Sequence, residues 1–175
     1  VSIHDIIQEA AGILEHTLPK SIEVQVALKE DVLPVRGDAA ELSQVLMNLA
    51  INSRDAMPNG GCLTLAAENV FVRQDGMPGN DSLSPGDYVR VTVADTGSGI
   101  PPEIQDRIFD PFFTTKEQGR GTGLGLATTM GIVSSHGGDI QVFSREGEGT
   151  TFQIFLPVAI SPAIPSETPI DVEVP

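Results

Sequence analysis

Glu41-Leu-Ser-Gln-Val-Leu-Met-Asn48-Leu-Ala-Ile-Asn52-Ser-Arg-Asp55-Ala-Met57 has two sides written for different purposes. At about 100° per residue, Leu42, Val45, Leu46 and Leu49 form an apolar face, while Asn48, Asn52 and Asp55 fall within roughly 60° of one another. A surface helix ordinarily fills its polar side with lysine and glutamate, because asparagine and aspartate each weaken a helix interior by about half a kcal/mol. Short amides and a carboxylate fixed on one stripe suit a hard cation such as Mg2+ or the polar edge of a nucleotide. The plainer reading is a row of solvated or back-bonding side chains. Arg54 sits about 200° from Asn52 on the wheel and is set aside as a ligand.

Upstream, Asp38 is placed to cap this helix, with Glu41 three residues on as in a capping box. Ile22 to Leu28 alternates strictly and predicts a half-buried strand, and residues 2 to 15 carry Ile3, Ile6, Ile7, Ala10, Ile13 and Leu14 at helical spacing. Downstream, Pro58-Asn-Gly-Gly61 stops the helix. Leu63 to Val72 and Tyr88 to Asp95 then predict a pair of strands joined by a long polar loop. In the second strand Val89, Val91 and Val93 face the core, and the period of two carries Asp95 to the same side. An inward carboxylate is unfavourable unless it meets donors. Thr96-Gly97-Ser98-Gly99-Ile100-Pro101 follows, where two glycines would let a ligand approach the backbone. Asp95 is therefore either a ligand reader or the end of a strand at a turn.

Glu103 to Phe109 reads as a short helix, Asp110 to Arg120 has no periodicity, and Phe109, Phe112 and Phe113 read as core anchors. Gly119-Arg-Gly121-Thr-Gly123-Leu-Gly125 then opens a helix, the arrangement in which free backbone N–H groups and the helix dipole bind phosphate. Its glycines recur every second residue, so it is neither a Walker loop nor the dinucleotide fingerprint. Gly137 closes that helix, with His136 in its last turn as a surface or dipole partner. Asp139 to Ser144 and Thr150 to Leu156 predict two further strands. Residues 158–175 are rich in proline and read as a linker, leaving 1–157 as one domain.

Composition narrows the function. With 175 residues of which 40% are hydrophobic, the chain can bury one sizeable core. Its single cysteine, Cys62, excludes an intramolecular disulfide and a Cys-based metal cluster, and reads as a small buried hydrophobe. A formal net charge of −14 argues against general affinity for nucleic acid or anionic lipid. No apolar run approaches a membrane span, so a cytoplasmic location without direct membrane contact is expected, whether or not the full-length protein is anchored.

Asn48-x-x-x-Asn52-x-x-Asp55, Asp95-x-Gly97-x-Gly99, Phe109-x-Pro111-Phe112-Phe113 and Gly121-x-Gly123-x-Gly125, in that order, resemble the N box, first glycine box, F box and second glycine box of sensor histidine kinases. Their ATP-binding domain shares a superfamily with gyrase, the MutL repair proteins and the heat-shock chaperone ATPases. The wording Asn-Ser-Arg-Asp-Ala-Met and Gly-Thr-Gly-Leu-Gly-Leu is most similar to kinases that carry PAS sensors and often a receiver domain.

The resemblance implies an α/β two-layer sandwich of Bergerat type, with about five strands in a mixed sheet and about three main helices on one face. It implies ATP and Mg2+ as cofactors, ATP or ADP being held between the central helix and a lid. Asp95 would accept from the adenine amino group, with Gly97, Gly99, Ile100, Phe112 and Thr150 around it. Asn52 and Asn48 would hold the metal, with Asp55 further along the stripe. Gly121, Thr122, Gly123, Leu124 and Gly125 would cradle the phosphates, and Lys116 and Arg120 would supply positive charge.

Hydrolysing members of the superfamily carry glutamate where this chain has Asn48, and a neutral amide cannot act as general base. The implied reaction is transfer of the γ-phosphoryl group to a histidine on a dimerising hairpin, and from there to a receiver domain. His4-Asp5 matches only the first pair of the acceptor motif, so that hairpin is expected outside this chain. Two departures stand out: Ser53 follows Asn52 where alanine is more usual, and Asp55 stands where many of these kinases place lysine. The alternatives are a serine kinase of the anti-sigma-factor type and a nucleotide-sensing module without transfer.

Overall fold

Five alternating segments build one sheet, and its connections decide which face is covered. The computed structural model describes residues 1–73, 83–113 and 125–159. Within them the order is α1 (Ile3–Thr17), β1 (Ile22–Leu28), α2 (Ala39–Ala56), β2 (Gly61–Val72), β3 (Gly86–Asp95), α3 (Gly125–Ser135), β4 (Asp139–Arg145) and β5 (Gly149–Pro157). The sheet runs β1-β2-β3-β5-β4, with β1 parallel to β2 and every other pair antiparallel. A parallel pair needs a crossover, and α2 supplies it, which is why the quoted helix lies across the sheet. This is the two-layer sandwich with a five-stranded mixed sheet that the motifs imply.

The buried stripe of α2, Leu42, Val45, Leu46 and Leu49, meets Ile3, Ile7 and Leu14 of α1 and the inward residues of the central strands, among them Leu65, Val91 and Ile154. Each such side chain contributes about 1.5–3 kcal/mol when fully buried. On the other sheet face the register aligns Ala66, Thr92, Gln153 and Gln141, all half-buried. Among the described residues, Val72, Leu83, Tyr88 and Phe155 form a second cluster near one end of that face. There the Tyr88 hydroxyl donates to the Ser84 carbonyl at 2.7 Å, and burial pushes its phenol above the ordinary tyrosine range.

Four local expectations change. The segment from Glu103 to Phe109 forms only a 3-10 turn, Gln105–Arg107, since Pro111 disfavours helical backbone just before it and so short a segment is marginal as an α-helix. Phe112 is no core anchor: it has φ 67° and is 75% exposed, while Phe109 meets Phe152 edge-on and Phe113 takes the Arg107 guanidinium over its ring. Cys62 is half-buried and lies 3.8 Å from the Thr64 hydroxyl. Of the two readings of His136 the helix-end partner holds and the surface one does not, because its side chain is 7% exposed between two helix ends. Its Nδ1–H donates to the Ile132 carbonyl at 2.8 Å, and Nε2 accepts from the Asp38 N–H at 3.1 Å. Asp38 caps α2 by accepting from the Ala40 and Glu41 N–H groups, so a histidine 98 residues away takes the place of the reciprocal half of the capping box.

Candidate functional site

The period of two in β3 delivers Asp95 to the helix side, where it is buried at 8% exposure among donors from three elements. Oδ1 accepts from the N–H of Gly97 at 2.9 Å and of Thr150 at 3.2 Å, and Oδ2 accepts from the Ser53 hydroxyl at 2.9 Å. Strand register explains the second donor, since Asp95 and Thr150 are cross-strand partners in β3 and β5. The third comes from α2, one residue past Asn52. These donors offset the desolvation of the carboxylate. Ser53, noted in the sequence only as a departure beside the expected phosphate ligands, thus contacts Asp95 instead.

The glycines after Asp95 have a cause other than ligand approach. A Cβ at Gly97 would run into the Ala56 carbonyl, which also accepts from Ser98 N–H at 2.9 Å. Gly99 has φ 75°, and a Cβ there would overlap the Arg145 carbonyl. The loop is therefore clamped between the end of α2 and the β4–β5 turn. Ser144 and Gln105, which the motif reading missed, hold its far side. Ile100 N–H donates to the Ser144 hydroxyl at 2.7 Å, that hydroxyl lies 2.8 Å from Thr150 Oγ1, and the Gln105 amide donates to the Ile100 carbonyl at 3.0 Å.

Along α2, Asn48 and Asn52 are half-buried one turn apart. The Asn48 amide donates to the Gly125 carbonyl at 3.4 Å, which joins the polar stripe to the first residue of α3. Asp55 accepts from its neighbour Arg54 at 3.1 and 3.2 Å, so the arginine set aside by its wheel position folds its long side chain back onto the stripe. At Gly125 an added Cβ would meet nothing within 4 Å among the described residues. Lys116, Arg120, Gly121, Thr122, Gly123 and Leu124 lie outside the described residues. Asp95, Gly97, Gly99, Ile100 and Thr150 form one connected group, and Asn48, Asn52, Asp55 and Gly125 border it through α2. Phe112 stands exposed beyond the 3-10 turn. The donor set fits a Mg-nucleotide: a buried acceptor at one end, neutral amide oxygens along the helix, and the start of helix α3 beside them.

Comparison with known proteins agrees with this geometry. Residues 37–160 match the model of the family described as histidine kinase-, DNA gyrase B- and HSP90-like ATPases. Sensor kinase CckA of Brucella abortus is 41% identical over 170 residues, 97% of this chain and 18% of that protein. A nucleotide-free catalytic domain of histidine kinase ThkA is 31% identical with a TM-score of 0.72, covering 90% of this chain and 93% of that one. Full-length ShkA in complex with AMPPNP is 28% identical with a TM-score of 0.73, covering 93% of this chain and 31% of that one. The chain thus spans less than a fifth of the curated sensor kinase it matches.

Proposed function

The chain belongs to the histidine kinase-, DNA gyrase B- and HSP90-like ATPase family, among its histidine kinase catalytic domains, and on that premise we propose that it binds Mg-ATP and passes the γ-phosphoryl group to a histidine. The acceptor histidine is carried by a dimerising helical hairpin. A receiver domain then takes the phosphoryl group, and the setting is cytoplasmic. Among the described residues no helix is long and apolar enough to cross a membrane.

The observation that carries the reading is the buried carboxylate of Asp95, held by three donors at the end of its strand. A carboxylate there accepts from the amino group of adenine and repels the carbonyl oxygen that guanine presents at the same place. Asn52, with Asn48, supplies neutral oxygens to a metal, and Asp55 stands further along the helix. Held there, Mg2+ would neutralise phosphate charge. Gly121, Thr122, Gly123, Leu124 and Gly125, with the start of α3, cradle the phosphates, and Lys116 and Arg120 bring positive charge to a chain of net charge −14. Asn48, an amide, takes no proton from water, so this domain contributes positioning and charge neutralisation, and the nucleophile comes from the hairpin.

Calorimetry with and without Mg2+ tests the assignment. The chain should bind ATP more tightly when Mg2+ is present, and Asn52→Ala should remove most of that gain, roughly tenfold or about 1.4 kcal/mol. An unchanged Mg2+ dependence in the variant would remove Asn52 from the metal site.

A further inference from the structure

Ser53 is the one hydroxyl of α2 that is wholly buried, at 1% exposure, and its bond leaves the helix. A buried helical serine commonly donates back to the carbonyl four residues earlier. Here the hydroxyl donates instead to Asp95 Oδ2, 42 residues away, at 2.9 Å.

A carboxylate offers about four lone-pair positions. At Asp95 the two on Oδ1 are taken by the Gly97 and Thr150 N–H groups, and one of the two on Oδ2 by Ser53. One acceptor position is left. Rotation about the aspartate Cβ–Cγ bond is soft and carries both oxygens together, so donors on Oδ1 alone define the carboxylate plane less firmly than donors on both oxygens. The Ser53 bond fixes that second oxygen and decides where its remaining lone pair points.

We propose that Ser53 is a positioning residue for base recognition: by donating to Asp95 Oδ2 it holds the carboxylate plane and leaves a single, directed acceptor for an exocyclic amine. The proposal rests on the reading of this site as an ATP site. Ser53 touches neither nucleotide nor metal in this account. It acts through Asp95, and it sits next in sequence to Asn52, so one turn of α2 serves both the metal end and the base end.

The test measures binding of ATP and of the purine nucleoside triphosphate that lacks the 6-amino group, with Mg2+, to the chain and to Ser53→Ala and Ser53→Thr. The wild-type chain should prefer ATP by roughly ten- to a hundredfold, the weight of a hydrogen bond to a charged group. Ser53→Ala should reduce that preference about three- to tenfold while binding of the deamino nucleotide stays within about twofold, and Ser53→Thr should restore it. Equal weakening of both nucleotides would make Ser53 a packing residue and overturn the proposal, as would an unchanged preference. Should the alanine variant not fold, Ser53→Cys, similar in size with a weak donor, must show the same loss of preference, and full preference there overturns the proposal. A wild-type chain that fails to distinguish the two nucleotides overturns the adenine reading itself.

Discussion

Asp95→Asn inverts the polarity of the base reader while disturbing little else. The amide oxygen can keep the position of Oδ1, where it still accepts from Gly97 and Thr150 N–H. The amide nitrogen then takes the place of Oδ2, and Ser53 can rotate its hydroxyl to accept from it. The displaced hydroxyl proton can turn to the carbonyl four residues earlier, the usual acceptor of a helical serine, so stability should change by less than about 1 kcal/mol. Asp95→Ala, in contrast, strands two backbone N–H groups, each at about 1–3 kcal/mol. That sum is a large part of a typical domain stability of about 5–15 kcal/mol, so alanine confounds binding with folding. In the asparagine variant the group facing adenine is a donor opposed to a donor. The lost charge-assisted bond amounts to about 1.5–3 kcal/mol, or roughly ten- to 150-fold in affinity for ATP. A nucleotide with a carbonyl at that position, GTP or ITP, should gain relative to ATP. Calorimetry with ATP, GTP and ITP, beside thermal melting of both proteins, reads every part of this. ATP binding as tight as in the wild-type chain, or equal losses for all three nucleotides with melting unchanged, would refute the reasoning.

Two further perturbations probe the frame. His136→Ala removes the acceptor of the Asp38 N–H and the donor to the Ile132 carbonyl, and should lower stability by about 1–3 kcal/mol in urea unfolding. A change under about 0.5 kcal/mol would mean that the two helix ends find water instead. At Tyr88, burial raises the folded pKa above the unfolded value of 10.0, so its protonated form is favoured in the folded state. Its contribution is complete below that unfolded value and is lost as pH rises through the folded pKa. Tyr88→Phe should therefore cost about 1 kcal/mol at neutral pH, through the bond to Ser84, yet flatten the alkaline fall in stability. Parallel pH profiles for the two proteins would exclude Tyr88 as its source.

Much of this was legible along the chain because it rests on local periods. The α2 stripe, the five alternating segments and the inward turn of Asp95 follow from spacings of 3.6 and 2, and the structure has helices and strands at those places. What periodicity cannot supply is pairing between distant positions. Ser53 meets Asp95 across 42 residues and His136 meets Asp38 across 98, and in each case a polar residue that looks neutral or superficial on its own helix is buried by a neighbouring element. The first glycine pair illustrates a subtler limit. Sequence shows that Gly97 and Gly99 lack side chains, but only the fold shows that carbonyls of Ala56 and Arg145 occupy the space. Phe112 fails the core expectation because aromaticity predicts burial on average, whereas a left-handed backbone at that residue turns the ring outward.

The central claim is phosphoryl transfer to histidine by a domain whose Asn48 cannot activate water. Its most direct test incubates the chain with γ-labelled Mg-ATP, alone and with a dimerising histidine hairpin added in trans or by fusion. The chain alone should hydrolyse ATP very slowly and remain unlabelled, and the hairpin should acquire an acid-labile, alkali-stable phosphate on its histidine. Acid-stable label on a serine, or ATP binding with no transfer to the hairpin, would contradict the account.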